Sequence, residues 1–209
     1  LLRYIPQSAQ RVLDCACGEG VLGARIKARV PGTEVVGVTL SREAGAQAEA
    51  VLDAVVCGDL QDLALPFDEA HFDCVVCPDV LARLRDPAPV LEGIAAMLRP
   101  AGLFVATAPN LQHYSTVAML AEGRWEYDET GIMARDHLRF FTAQELVRLL
   151  SGAGLHVRKC GAYLSDPQEA APRDTDGCIH CGRVSIGPLT DAEYKAFLTR
   201  YYILFATKP

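Results

Sequence analysis

The sequence predicts an α/β fold: a doubly wound, mostly parallel sheet of seven strands with helices on both faces. Three observations carry that expectation. Short β-branched runs alternate along the chain with stretches of helical period. Those runs are apolar almost throughout, as strands covered on both faces are. A glycine-rich turn, Cys17-Gly18-Glu19-Gly20, joins the first run directly to the first helical stretch. With 209 residues, half of them hydrophobic, a single domain over 1–209 is expected. The strand–helix rhythm breaks at about 108–141 and again at about 163–189, which reads as an irregular loop.

Taken in order, Arg11 to Cys15 is the first strand and the helix near 21–29 follows the turn. Glu34 to Val38 is the second strand. Ser41 is placed to cap a helix running through alanines to Leu52. Ala54 to Cys57 and Phe72 to Cys77 read as two buried strands. Asp86-Pro87 opens a helix with proline in its first turn, and Val90, Leu91, Ile94, Met97 and Leu98 keep the helical period. Arg99-Pro100-Ala101-Gly102 stops it ahead of a fifth strand, Leu103 to Ala106. Thr142 and Glu145 form a capping box before Leu146, Leu149 and Leu150. Gly152 and Gly154 end that helix, and Leu155 to Cys160 is the sixth strand. A second capping box, Thr190 with Glu193, starts the helix that leads into Tyr202 to Ala206, the seventh.

Charge and composition exclude several functions. Twenty Lys and Arg stand against 26 Asp and Glu, a formal charge of −6 without a basic stripe, so no nucleic-acid partner is expected. No apolar run reaches the roughly 18–20 residues a bilayer requires, so no membrane span is expected either. No signal peptide is evident, and five of the eight cysteines (Cys15, Cys57, Cys74, Cys77 and Cys160) lie in apolar strand-like runs. That usage fits a reducing, cytoplasmic setting better than a disulfide framework. Cys74 and Cys77 flank two valines and should point to opposite faces of their strand. Cys178-Ile179-His180-Cys181 has metal-ligand spacing, but a single such pair is weak evidence for zinc, and no metal is expected.

The turn after the first strand is where an open α/β sheet binds ligands. Its glycines permit close backbone approach, and the helix behind it offers free N–H groups. Gly18, Gly20 and Gly23 also satisfy the dinucleotide pattern G-x-G-x-x-G. A NAD site wants an acid near the end of the second strand, where Thr39 stands; Thr39, Ser41 and Arg42 would instead suit the 2′-phosphate of NADP. Asp14, at the end of the first strand, counts against both because it would repel a pyrophosphate. An acid there suits a cofactor with a cationic amino-acid end.

The string Val12-Leu13-Asp14-Cys15-Ala16-Cys17-Gly18-Glu19-Gly20 resembles the first motif of class I S-adenosylmethionine-dependent methyltransferases. The likeness continues through Val35-Val36-Gly37-Val38, Cys57-Gly58-Asp59-Leu60, Phe72-Asp73-Cys74-Val75-Val76 and Met97-Leu98-Arg99-Pro100-Ala101-Gly102-Leu103. Gly123-Arg124-Trp125 and Asp136-His137-Leu138-Arg139-Phe140-Phe141-Thr142 are similar to segments of bacterial small-molecule methyltransferases associated with glycosyltransferases. The resemblance implies the Rossmann-like methyltransferase fold, with an antiparallel last strand. It implies S-adenosyl-L-methionine as cofactor, S-adenosyl-L-homocysteine as product, and a small-molecule methyl acceptor. Asp14, Cys15, Ala16, Gly18 and Gly20 would hold the methionine end; Thr39 and Leu40 the ribose side; Asp59 and Leu60 the adenine, with Cys77 close by. The chain departs from the family at Thr39, where an acid is usual, and at Leu81-Ala82-Arg83-Leu84, where relatives often show Leu-Glu-His-Leu.

Methyl transfer is an in-line displacement that depends on alignment, and a hydroxyl acceptor gains from a general base. His137 and His113, in the segment after the fifth strand, are the candidates for that base. Asn110, Tyr114, Arg124, Trp125, Arg135 and Arg139 are candidate acceptor contacts, arginine being suited to carboxylate or phosphate. Pairing of these arginines with Asp128, Glu129 and Asp136 is the competing reading. A sugar or a natural-product hydroxyl is the acceptor that the narrower likeness implies. Two alternatives stay open: a degenerate methyltransferase-like domain that only binds, and an NADP-linked oxidoreductase.

Overall fold

Residues 1–164 and 171–209 are described by the computed structural model. Strand β1 (Arg11–Asp14) lies at the centre of a seven-stranded sheet, buried from Val12 onward. It pairs in parallel with β2 (Glu34–Thr39) on one side and β4 (Phe72–Pro78) on the other. β3 (Ala54–Cys57) extends the sheet beyond β2, and β5 (Leu98–Pro109) extends it beyond β4, both in parallel. The other edge is antiparallel: β9 (Thr199–Thr207) lies between β5 and β6 (His156–Leu164). The order β3-β2-β1-β4-β5-β9-β6 reverses direction between β1 and β4. A crevice opens there, beyond the carboxyl ends of the strands.

Two cores follow from the alternation of strand side chains. On one face Leu13, Val75, Phe104 and Leu204 pack against Leu91 and Ile94 of α3 (Pro87–Met97) and against Leu146 and Leu150 of α5 (Ala143–Gly152). On the other, Val12, Val35, Val76 and Val105 meet Ile26 of α1 (Val21–Arg29), and Ala48 of α2 (Arg42–Ala48) with Leu52 beyond it. Burying Ile26 alone is worth about 1.5–3 kcal/mol. Cys74 and Cys77 do fall in opposite cores.

Local signals place the helix starts. Ser41 accepts from Ala44 N–H, Asp86 from Ala88 N–H, and Thr142 from Glu145 N–H. Thr190 and Glu193 complete a reciprocal box at α6 (Asp191–Leu198). The structure also corrects the sequence reading. β3 is an edge strand with Cys57 exposed, because among the described residues no strand pairs outside it. α2 stops at Ala48, although Leu52 is still buried beyond it. Strand β5 begins at Leu98, before the expected breaker, with Ala101 held at φ 60°. The 108–141 stretch contains a helix, α4 (Tyr114–Ala121), and the supposed irregular loop carries a hairpin, β7 (Ile179–Cys181) and β8 (Val184–Ile186). Among the described residues no helix is long and apolar enough to cross a membrane.

Candidate active site

The crevice is built by the loops that follow the first four strands. Cys15 N–H donates to Val76 O of β4 and Cys17 N–H to Val38 O of β2, both at 2.9 Å, so the glycine turn is pinned across two strand ends. Gly18 and Gly20 take φ +53° and +84°, a region that favours glycine. A Cβ at Gly18 would meet no atom within 4 Å, so the turn has open space beside it. At Gly20 a Cβ would lie 2.7 Å from the Val51 side chain, because α1 packs closely there.

The resulting cleft measures about 350 Å³. Cys15, Ala16, Gly18, Thr39, Leu40, Asp59 and Leu60 line it, seven of the ten residues expected to hold a cofactor. The other three stand behind the wall. Gly20 is a packing position, and Cys77 is core, hydrogen-bonded with Cys15 and raising that thiol's pKa. Asp14 is fully buried: Oδ1 accepts from Ala16 N–H at 3.3 Å, and Oδ2 has no partner. Burial pushes its carboxyl up to about 6, against the Ala16 N–H, which lowers it. A buried carboxylate oxygen without a donor, behind an open glycine turn, fits the ammonium end of an amino-acid cofactor. The same atom is unsuited to a pyrophosphate.

Asp59 accepts from the backbone and side-chain amides of Gln61 at 3.0 and 3.3 Å, and the Gln61 side chain in turn accepts from Arg85 N–H. Leu84 also lines the cleft, as do Gln61 and Val80, which no motif had singled out. Arg83 lines it too, on the side toward the 108–141 segment. Its guanidinium bonds Asp136 at 2.7 Å and Asp79 at 3.0 Å. Asp79 follows β4 at φ 55°, a strained backbone for a residue with a side chain, and its N–H is tied to Thr107 Oγ1 at 2.9 Å.

His137 stands behind Asp79. Leu138 and Arg139 N–H both donate to Ala82 O, docking the Asp136–Arg139 motif on the turn after β4. The His137 side chain is fully buried; Nδ1 donates to Ile132 O at 3.1 Å, and Nε2 faces Asp79 Oδ2 at 3.6 Å. The ring thus lies behind Asp79 and does not line the cleft. His113 is the N-cap of α4: its Nδ1 accepts from Ser115 N–H and lies 2.8 Å from Ser115 Oγ. Burial, with Arg200 second, lowers it to about 4. The lone pair a base would use is thus engaged in the cap.

The expected acceptor contacts do not converge on the cleft. Arg124 pairs with Glu122 and Glu126, Arg135 with Glu129, and Arg139 donates to Arg85 O. Trp125, 43% exposed, packs edge-on against Tyr127 and Phe140. Asn110 is fully buried, donating to Ala196 O and Thr199 O and accepting from Gln112 N–H, so it braces β5 to the start of β9. Tyr114 stacks beside the His113 ring. The competing reading, pairing with Asp128, Glu129 and Asp136, describes Arg135 with Glu129; Arg124 is paired too, but with Glu122 and Glu126, which that reading had not named. Cys178 and Cys181 lie around the β7–β8 hairpin, where His180 pairs with Asp174 at 2.6 Å. Among the described residues no group of three or more potential metal ligands assembles.

A doubly wound seven-stranded sheet, a glycine turn pinned over its switch point and a buried donorless acid behind that turn define a class I methyltransferase fold. A methyltransferase-domain family model matches residues 1–159, and the chain belongs to that S-adenosylmethionine-dependent family. The ubiquinone biosynthesis O-methyltransferase of Aeromonas salmonicida is 33% identical over 158 residues, covering 71% of this chain and 64% of that protein. The Xylella fastidiosa enzyme of the same name is 30% identical over 186 residues, 83% of this chain and 72% of that one. The chain thus spans about two thirds of these relatives. An S-adenosylmethionine-dependent methyltransferase of Mesorhizobium loti shares the fold at a TM-score of 0.67 and 21% identity, over 99% of this chain and 95% of that one.

Proposed function

We propose that the protein transfers a methyl group from S-adenosylmethionine to a hydroxyl of a small molecule, a sugar or other natural product. The buried, donorless Asp14 Oδ2 is the observation that carries this reading. It asks for a cation, which the cofactor's ammonium brings to the glycine turn and the pyrophosphate of a nicotinamide dinucleotide does not. When bound, the cofactor supplies an electrophilic methyl on its sulfonium. Asp14 and the backbone at Cys15, Ala16 and Gly18 hold its amino-acid end. Thr39 faces the ribose with a neutral hydroxyl, and Asp59 takes the adenine amino group once Gln61 yields its place. Leu40, Leu60, Val80 and Leu84 exclude water from the cleft. The family's O-methyltransferase relatives support oxygen as the acceptor atom.

Calorimetry with S-adenosylhomocysteine and NADPH side by side tests the reading. Micromolar binding of the homocysteine analogue and none of NADPH is expected. The reverse result would end it and favour an oxidoreductase; binding of neither would favour a domain that has lost the cofactor.

A further inference from the structure

We infer that Asp79 is the catalytic residue that takes the proton from the acceptor hydroxyl, with His137 as the buried positioning residue behind it. The inference rests on the methyl-transfer reading and adds to it a residue to which the sequence motifs assigned no role. Four observations converge at this one side chain. It lies just past β4, one guanidinium away from the cleft, because Arg83 both lines the cleft and bonds Asp79 Oδ2. Its backbone is held in a left-handed conformation, which persists only where the surroundings enforce it; Thr107 Oγ1 and the Arg83 bond to Asp79 O do so. Its Oδ1 is buried without a donor, and His137 Nε2 is buried with no hydrogen-bond partner. Its side chain is 27% exposed while that of His137 is at 0%, so of the pair only Asp79 can meet a ligand.

The tautomer of His137 completes the argument. A carbonyl only accepts, so the Nδ1 contact with Ile132 O requires a proton on Nδ1. In the neutral ring Nε2 then presents a lone pair to the Asp79 carboxylate 3.6 Å away, which is repulsive unless a proton lies between them. A proton arriving on Asp79 satisfies both groups. In the reaction the acceptor O–H bond breaks, its proton passes to the Asp79 carboxylate, and the oxygen forms its bond to the methyl carbon. The methyl–sulfur bond breaks with its electron pair staying on sulfur, which becomes a neutral thioether. The proton is then shared with His137 and released to solvent at the exposed side of Asp79. Burial raises the Asp79 pKa against the lowering pull of Arg83 and His137. Tyr201 on β9 also faces the group, its own pKa raised by burial and by Asp79 against the lowering pull of Arg200 and Arg83, and Asp136 neutralises the far side of Arg83.

Asp79→Asn keeps the shape and removes the base. The test measures methyl transfer to 4-nitrocatechol as the hydroxyl probe, S-adenosylhomocysteine affinity by calorimetry, and the His137 imidazole in the unliganded protein by nitrogen-edited NMR. The expected result is a kcat about 10²–10⁴-fold lower, with S-adenosylhomocysteine affinity within threefold of wild type. In the unliganded wild type His137 should show the Nδ1–H tautomer with an unprotonated Nε2, and the Nε2 signal should shift in the variant, where the carboxamide introduced at position 79 can donate to it. Asp79→Glu should recover part of the rate. A variant retaining more than a tenth of the wild-type kcat, or an unchanged His137 spectrum, would overturn the inference. Loss of S-adenosylhomocysteine binding by the wild type would instead count against the methyl-transfer reading itself.

Discussion

Asp14 carries a stability cost that the proposed cofactor site entails. Its folded pKa of about 6 lies above the ordinary 3.8, so the folded state holds its proton more tightly than the unfolded chain. Stability therefore falls as pH rises from about 4 to about 6, and above that the full cost of a buried charge is in place. Two units correspond to roughly 3 kcal/mol. Asp14→Asn is expected to stabilise the unliganded protein at pH 7 by about 1–3 kcal/mol, to flatten its stability between pH 4 and 6, and to weaken S-adenosylhomocysteine at least tenfold. Denaturant melts across that pH range, with calorimetry alongside, check all three; a destabilised variant at pH 7 would mean that Asp14 is compensated in the unliganded fold. Asp14 was legible in the sequence because a strand end and a glycine turn fix its position. Asp79 was not: Pro78-Asp79 reads as an ordinary strand exit, and its isolation arises only when His137, 58 positions later in the chain, docks behind it. Arg124 and Arg135 stand paired away from the cleft for a related reason. Chemistry suited to an acceptor is equally suited to a neighbouring glutamate, and the glutamates were closer.

At the scale of elements, the strands and helices with strong local signals were legible, namely those with capping residues or unbroken β-branched runs. Helix α4 was hidden because its first turn, His113 to Thr116, is polar and β-branched, and its start depends on an imidazole cap. The β7–β8 hairpin turns on Gly182-Arg183 between very short strands, too little pattern to stand out. Close approach between elements was likewise invisible in one dimension. Gly37, in the middle of β2, would place a Cβ 2.5 Å from Cys17 Sγ and 2.8 Å from Cys17 Cβ. Those atoms belong to the glycine turn itself, so the clash cannot be relieved without moving the cleft wall. Gly37→Ala is expected to cost about 1–3 kcal/mol and to weaken S-adenosylhomocysteine. Gly93 is the internal control: it lies exposed inside α3 with nothing within 4 Å of an added Cβ. Gly93→Ala should stabilise by about 0.5–1 kcal/mol and leave ligand affinity unchanged. Equal effects of the two substitutions on affinity would show that the turn does not lean on β2.

For the whole molecule, the cleft is a junction rather than a pocket within one element. Its walls come from the segments after β1, β2, β3 and β4, which are separate in sequence and meet only at the switch point of the sheet. A ligand seated there links both sides of the reversal, and the free energy of that link appears as global stability if the fold melts cooperatively. At 100 times its dissociation constant, S-adenosylhomocysteine should add about 2.7 kcal/mol. For a chain of this size each kcal/mol moves the midpoint by about 2–4 °C, which gives a shift of roughly 5–10 °C. The shift should depend on pH in a way that identifies its source. Near pH 8 Asp14 is ionised and, on the proposed function, would meet the ligand's ammonium as a charge pair. Near pH 5, below its folded pKa of about 6, most of the protein holds Asp14 protonated, and binding must first remove that proton. Melting curves at a fixed ligand concentration should therefore show a smaller shift at pH 5 than at pH 8, and Asp14→Asn should abolish the difference. A wild-type shift equal at both values would place the ammonium against some other group, and Asp14 would then be a buried acid with no part in binding.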